Sequence, residues 1–249
     1  MPHRRQVLIG LLATVGGARY AHGAISGPLQ PTPSQTEGPY HPPPRMRKAR
    51  FPEDLDHDLS RVGDTLAQGT VLGIHGRVRT VDGAALTGAE VQIWQTCHRG
   101  RYLHPQDDFG SEIPPDPGFA YFGSTTTDAQ GRYAFLTIMP RRYPSGGQRE
   151  WWRPPHVHIK VRTGDTDRLT TQIYFDDPAD PENGWKHRTI QSVDRLIGNV
   201  DASRRHELVC ALRDPREGDL AVLAAFGLPA PDARAGRAPR AGRFDVVVE

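Results

Sequence analysis

The run Trp151-Trp152-Arg153-Pro154-Pro155-His156-Val157-His158-Ile159-Lys160-Val161 carries two histidines separated by one residue. Side chains alternate faces along a strand, so His156 and His158 share one face while Val157, Ile159 and Val161 take the other. Two imidazoles backed by branched apolar residues form half of a metal site on a rigid element. Two solvent-facing histidines on an edge strand are the plain alternative. Pro154 and Pro155 suit the start of the strand, where a missing ladder donor does least harm. Two loop tyrosines could supply the other half. Tyr102 in Gly100-Arg101-Tyr102 and Tyr143 in Pro140-Arg141-Arg142-Tyr143 each close a Gly- or Pro-rich turn beside arginine. A phenol is a weak ligand while protonated, its ordinary pKa being about 10. A hard trivalent cation inverts this and holds the phenolate outright. Two phenolates with two neutral imidazoles suit Fe(III) rather than Fe(II), whereas zinc is more often held by Cys, His and carboxylates. On residue types alone the set stays open, because a loop tyrosine is more commonly an amphipathic surface residue.

The elements that must position these groups read as short strands. Val71-Leu72-Gly73-Ile74-His75-Gly76-Arg77-Val78-Arg79 alternates, Asp82-Gly83 marks a turn, and Ala89-Glu90-Val91-Gln92-Ile93-Trp94 alternates again. Thr125 to Ile138 reads as strand, turn and strand, and Thr170 to Phe175 as the strand after the histidines. Residues 95–124 and 176–188 are long loops, a length usually tied to function. Residues 219–227 fit a short helix or an apolar run equally well. Residues 229–243, all but one of them Ala, Pro, Gly or Arg, read as a flexible connection before a closing strand, Phe244 to Val248. The expected fold class is all-β, an antiparallel β-sandwich of the prealbumin-like kind, with long functional loops and an extended N-terminal arm.

Composition sets the outer limits. The chain has 249 residues, enough for one sizeable core, with 26 Gly and 23 Pro favouring turns over long helices. A formal net charge of +2 calls for neither nucleic acid nor an acidic membrane surface. Cys97 and Cys210 fit no Cys-x-x-Cys metal pattern, and a single disulfide or two free thiols both remain open. Residues 1–24 read as a twin-arginine-type export signal, with Arg4-Arg5, a short apolar run from Val7 to Gly17, and Ala21-His22-Gly23 as a cleavage site. The expected destination is the periplasm. That run is too short to span a bilayer. Residues 25–70, rich in Pro and polar residues at their centre, read as the arm, and 71–249 as the β-sandwich catalytic domain.

Taken in order, several motifs are specific together. They are Gln35-Thr36-Glu37-Gly38-Pro39-Tyr40, Glu90-Val91-Gln92-Ile93-Trp94-Gln95 with Gly100-Arg101-Tyr102, Thr137-Ile138-Met139-Pro140 with Tyr143-Pro144, Trp152-Arg153-Pro154-Pro155-His156-Val157-His158, and Thr171-Gln172-Ile173-Tyr174-Phe175. This series resembles the intradiol ring-cleavage dioxygenases, in particular the protocatechuate 3,4-dioxygenase branch. The resemblance implies one Fe(III) per chain, held by Tyr102, Tyr143, His156, His158 and a solvent hydroxide. It implies a catechol that binds as the dianion, displaces the hydroxide and Tyr143, and is cleaved by O2 between its hydroxyls to a muconate-type diacid. Arg153 matches the arginine that faces the substrate ring, and Gln172 a residue lining the O2 side. Gly38, Pro39, Tyr40 and Trp152 fall at substrate-binding positions.

The chain also departs from that branch. Ser145-Gly146-Gly147 stands where a tryptophan usually follows the second tyrosine, and Arg141-Arg142 where Gly-Pro-like residues are common. A wider, more mobile wall would favour a substituted or acidic catechol over plain catechol. A homo-oligomer is compatible with these features. The competing reading is a non-catalytic prealbumin- or regulatory-type β-sandwich binding module, which would have no reason to keep the ligand set complete. A metal hydrolase using His156 and His158 with a carboxylate is a third.

Overall fold

The protein is described from a computed structural model, which covers residues 27–43, 45–46, 56–107, 112–145, 151–180 and 197–249. The export signal expected at 1–24, the pair Gly146-Gly147 and most of the second long loop lie outside the described residues.

The first strands, β1 (Arg61–Val62) and β2 (Thr65–Leu66), form a small hairpin ahead of the main sheet. The sheet is built from β3 (Val71–Thr80), β4 (Glu90–Gln95), β5 (Phe122–Thr126) and β6 (Arg132–Ile138). A short hairpin follows, β7 (Tyr143–Ser145) with β8 (Trp151–Arg153). The long pair β9 (His156–Thr163) and β10 (Thr166–Asp176) comes next, then β11 (Val209–Arg213), β12 (Arg240–Arg243) and β13 (Val246–Val248). Nine of these strands join in one sheet, in the order β13-β3-β12-β11-β10-β9-β4-β5, with β6 also paired to β3. One buried cluster draws side chains from both ends of that path, among them Leu72 and Ile74, Val91 and Ile93, Val157 and Ile159, and Ile173 and Phe175. The odd-even alternation of β9 therefore works as expected: its branched residues enter this cluster and leave the histidines on the opposite face.

Two expectations are corrected. The sheet is mixed rather than antiparallel, because β10–β11, β3–β12 and β3–β13 are parallel ladders. Parallel neighbours need a long crossover rather than a tight turn, and the chain between β10 and β11 supplies one. Residues 240–243, read as part of a flexible connection, instead form an internal strand between β3 and β11. Small residues make this possible. A Cβ on Gly242 would lie 2.4 Å from Cys210 Sγ and 2.8 Å from Leu212 Cδ2. Arg240, at the strand's start, is buried and paired with Asp177 and Asp214 at 2.5 Å each.

The open choice at 219–227 resolves to a helix, α1 (Glu217–Ala225). Leu223 packs on the far face of β3 and β6 with Val71, Ala134 and Leu136. Gly73 provides the room, since a Cβ there would approach Leu223 Cδ1 to 3.0 Å. Cys97 and Cys210 are both free thiols, buried in the main core. Among the described residues, no helix is long and apolar enough to cross a membrane.

The arm runs extended over its own chain. Thr32 exchanges hydrogen bonds with Val247, through its N–H to the carbonyl and its Oγ1 from the N–H, each 2.9 Å. Gln35 N–H donates to the Thr170 carbonyl at 2.9 Å, and Thr171 Oγ1 to the Pro33 carbonyl at 2.7 Å. Past residue 56 the chain is already core: Leu59 and Ala67 are buried, and Leu59 N–H donates to the Leu136 carbonyl at 2.7 Å.

Candidate metal centre

The histidine face of β9 is one row deep in a three-strand field. Register places His158 beside Trp94 of β4 and Gln172 of β10, and His156 beside Tyr174. Cross-strand neighbours on one face touch, so these side chains share the surface that bears the imidazoles. Trp94 lies flat against His158, with ring centroids 4.7 Å apart and an interplanar angle of 9°. His41 from the arm meets the edge of Trp94 and faces Gln92 Oε1 at 3.3 Å.

Tyr102 and Tyr143 arrive on two loops that touch each other. Gly100, at φ +84°, turns the first loop, and a Cβ there would lie 2.7 Å from the Arg142 carbonyl oxygen. Only glycine serves at that point. Thr96 Oγ1 donates to the Arg141 carbonyl at 3.1 Å, and Tyr102 N–H to an Asp107 carboxylate oxygen at 2.6 Å. Tyr143 opens β7, directly opposite Arg153 in β8.

These elements bring four donors together. Tyr102 Oη is 3.1 Å from His158 Nε2 and 3.3 Å from His156 Nε2. The Tyr143 ring stands edge-on to Tyr102 at 5.4 Å and 5.6 Å from that of His156. His156 Nδ1 sits 2.7 Å from the Pro154 carbonyl, which can accept only a proton there. That bond assigns the tautomer and leaves the Nε2 lone pair facing the phenols. Burial, the Arg153 guanidinium and the neighbouring imidazole push His156 well below its ordinary pKa. Burial, Arg153 and His41 do the same to His158. Both rings are therefore neutral, the form that binds metals. Burial, and then Tyr143, push the Tyr102 phenol well above its ordinary pKa, so it keeps its proton unless a cation replaces it.

The donor set fits a hard cation. Among the described residues no three His, Cys, Asp or Glu side chains cluster as a ligand group. A site here must draw its anionic charge from phenols, and a phenol ionises only against a strongly charged metal. Two imidazole nitrogens and two phenol oxygens converge with nothing soft among them.

The other expected residues divide. Arg153 is 3% exposed, and its Nη2 donates to Gln172 Oε1 at 2.5 Å and to Tyr174 Oη at 3.2 Å. Gln172 Nε2 in turn donates to the Thr36 carbonyl of the arm at 3.2 Å. Gly38, at φ +72°, would put a Cβ 3.5 Å from His158 Cε1. Tyr40 stacks on Tyr102 at 4.6 Å. Pro39 lines a cavity of about 670 Å³ with His41, His104 and Pro105, whose wall contains none of the four donors. Trp152 is not brought in: it is 41% exposed, with the Arg142 guanidinium 5.6 Å from its ring centroid. Trp94 and Tyr174 were missed as site residues. The signal that finds them is register, which local sequence does not carry. A further tie, Lys160, follows His158 by two positions on the same face. It pairs with Glu37 of the arm and, at 3.2 Å, with Asp167.

Residues 43–214 match the family model described as Dioxygenase. The protocatechuate 3,4-dioxygenase beta chain of Burkholderia cepacia is 41% identical over 133 residues, 51% of this chain and 54% of that one. The alpha chain from the same organism is 31% identical over 196 residues, 76% of this chain and 87% of that one. The dioxygenase domain of a carbohydrate-binding fusion protein from Streptomyces sp. SirexAA-E superposes with a TM-score of 0.52 at 26% identity, over 88% of this chain and 99% of that one. The match spans about half the length of the first curated relatives.

Proposed function

The chain belongs to the intradiol ring-cleavage dioxygenase family, and from that premise we propose that it is a non-haem Fe(III) enzyme that cleaves a catechol-type aromatic between its two hydroxyls with O2, giving a muconate-type diacid. The observation that carries the reading is the convergence of Tyr102, Tyr143, His156 and His158 on one buried point. We assign these four to one ferric ion per chain. When bound, that ion supplies Lewis-acid activation of the catecholate toward O2. The fold reading that goes with it is a two-layer sandwich of the prealbumin-like kind, supported by a main buried cluster that draws side chains from both ends of the strand path.

The chain's own groups have separable tasks in this proposal. His156 and His158 stay neutral by burial and offer nitrogen lone pairs. Tyr102 is tied down through its backbone to Asp107 and crowded by both imidazoles, so it is the fixed phenol. Tyr143 stands on a three-residue strand and is the phenol we assign to move and take a substrate proton at Oη. Arg153 is held by Gln172 and Tyr174, so its charge is fixed in place and can stabilise negative charge developing on the ring. Tyr40 and Gly38 bring the arm close enough to exclude water from Tyr102 and His158.

Metal analysis with the visible spectrum and O2 uptake tests this reading. The expected result is about one iron per chain, a tyrosinate-to-iron charge-transfer colour, catechol-dependent O2 consumption, and loss of most iron in His158→Ala. A colourless protein that stays inactive after iron loading, or a His158→Ala variant with full iron and turnover, would overturn it. Export belongs to the same proposal: donors spread from Tyr102 to His158 meet only in the folded chain, which suits a route for folded proteins. Replacing Arg4 and Arg5 by Lys should retain the protein inside the cell on fractionation, and unchanged export would refute that route.

A further inference from the structure

A second cavity, of about 360 Å³, opens on a part of the molecule that contributes nothing to the metal centre. Five guanidiniums line it: Arg77 of β3, Arg132 of β6, Arg213 of β11, Arg243 of β12, and Arg216 at the start of α1. Its wall holds one acid, Asp219, which is buried and bound to His75 Nε2 at 2.7 Å and to Arg213 at 2.6 Å. Arg132 pairs with Asp128 at 2.6 Å and Arg243 with Asp245 at 2.7 Å. Arg77 and Arg216 are exposed; their backbone N–H groups donate to Asp245 at 3.0 Å and Asp219 at 2.9 Å, but their guanidiniums form no ion pair among the described residues. The first turn of α1 carries Glu217 and Asp219, and Asp219 caps the helix by accepting the Arg216 N–H, so the cleft's positive charge comes from its guanidiniums rather than from the helix end. Gly218 in that turn has open space where a Cβ would stand, so the backbone there can be approached closely.

Charge distinguishes this cavity from a larger one elsewhere in the molecule. The cavity of about 570 Å³ near Arg240 has four arginines in its wall but also Asp177, Asp180 and Asp214. Acids there nearly balance the cations, whereas the smaller cavity keeps two unmatched charges. Guanidinium forks match the paired oxygens of carboxylate and phosphate, and the volume suits a small ligand. We propose that this cleft is a binding site for a small dianion, a phosphate or a dicarboxylate, with Arg77 and Arg216 as its principal contacts. The dicarboxylate alternative rests on the proposed reaction, whose product is a diacid; the phosphate alternative does not.

The test is calorimetric titration of the full protein with inorganic phosphate and, separately, cis,cis-muconate, against sodium chloride at matched ionic strength. Saturable binding of either dianion is expected, weakened about tenfold or more in Arg77→Gln/Arg216→Gln. Arg237→Gln, in the wall of the larger cavity, should leave it unchanged. The metal-centre spectrum and thermal midpoint without ligand serve as folding controls. Binding by phosphate alone, muconate alone or both assigns the source. Heats no different from chloride, or wild-type affinity in the double variant, would overturn the proposal whatever the enzyme's activity.

Discussion

A proton on either buried imidazole would remove a donor from the proposed ferric site, and burial is what keeps it off. Because the folded pKa values of His156 and His158 lie below the ordinary 6.5, the unfolded chain binds more protons in the window beneath 6.5. Stability is therefore full above that value and declines as pH falls through the window. Each histidine contributes up to about 1.4 kcal/mol per pH unit there. The metal-free protein should show a urea midpoint that drops between about pH 7 and pH 5, before ordinary carboxylates titrate near 4. His158→Asn should flatten the slope. A midpoint that is level or rises on acidification would contradict the burial of neutral rings. At this scale the shared face of His156 and His158 was legible in the sequence, because a period of two fixes it, whereas Tyr102 and Tyr143 joined them only through the family resemblance. Trp94 and Tyr174 were not, since they reach the same surface only through the pairing of three separate strands.

Among the elements, the arm has the least conventional role. Residues 27–43 of it form no strand, yet they contribute Tyr40 to the phenol cluster and receive Gln172 and Lys160 from the sheet. Proline-rich composition made it readable as an extended arm laid over something else but did not say over what, because the groups that hold it lie in β9 and β10. Lys160 is 6% exposed and ties Glu37 directly above the histidine face. Lys160→Met should loosen residues 27–43 while leaving the fold intact. The expected signature is faster amide exchange in the arm and a KM for catechol raised several-fold with a smaller change in kcat. Unchanged exchange together with unchanged KM would mean that backbone bonds alone dock the arm.

The whole molecule depends on strands that do not look like strands. Residues 240–243 resemble a linker by composition, and their place in the sheet is set by how little space they need beside Cys210 and Leu212. Gly242→Ala should therefore cost about 1–3 kcal/mol by overpacking. A lowered urea midpoint with an unchanged m-value would show it, and a stability equal to wild type would mean that β11 yields freely. The same reasoning explains why the mixed sheet was read as antiparallel: alternation reports that a segment is a strand but not the direction of its neighbour.

The parallel edge of β3 also imposes a schedule. Arg77 and Asp245 are joined by a hydrogen bond across 168 positions of chain. A strand formed early must wait, one edge unpaired, until residues 240–248 have been synthesised and return to cover it. Contacts this distant slow the search for the native state, and an open edge in the interval invites pairing with other chains. Nascent chains should thus be vulnerable for most of their synthesis, and the time they spend half-closed, more than the strength of the finished sheet, should govern how much protein a cell recovers.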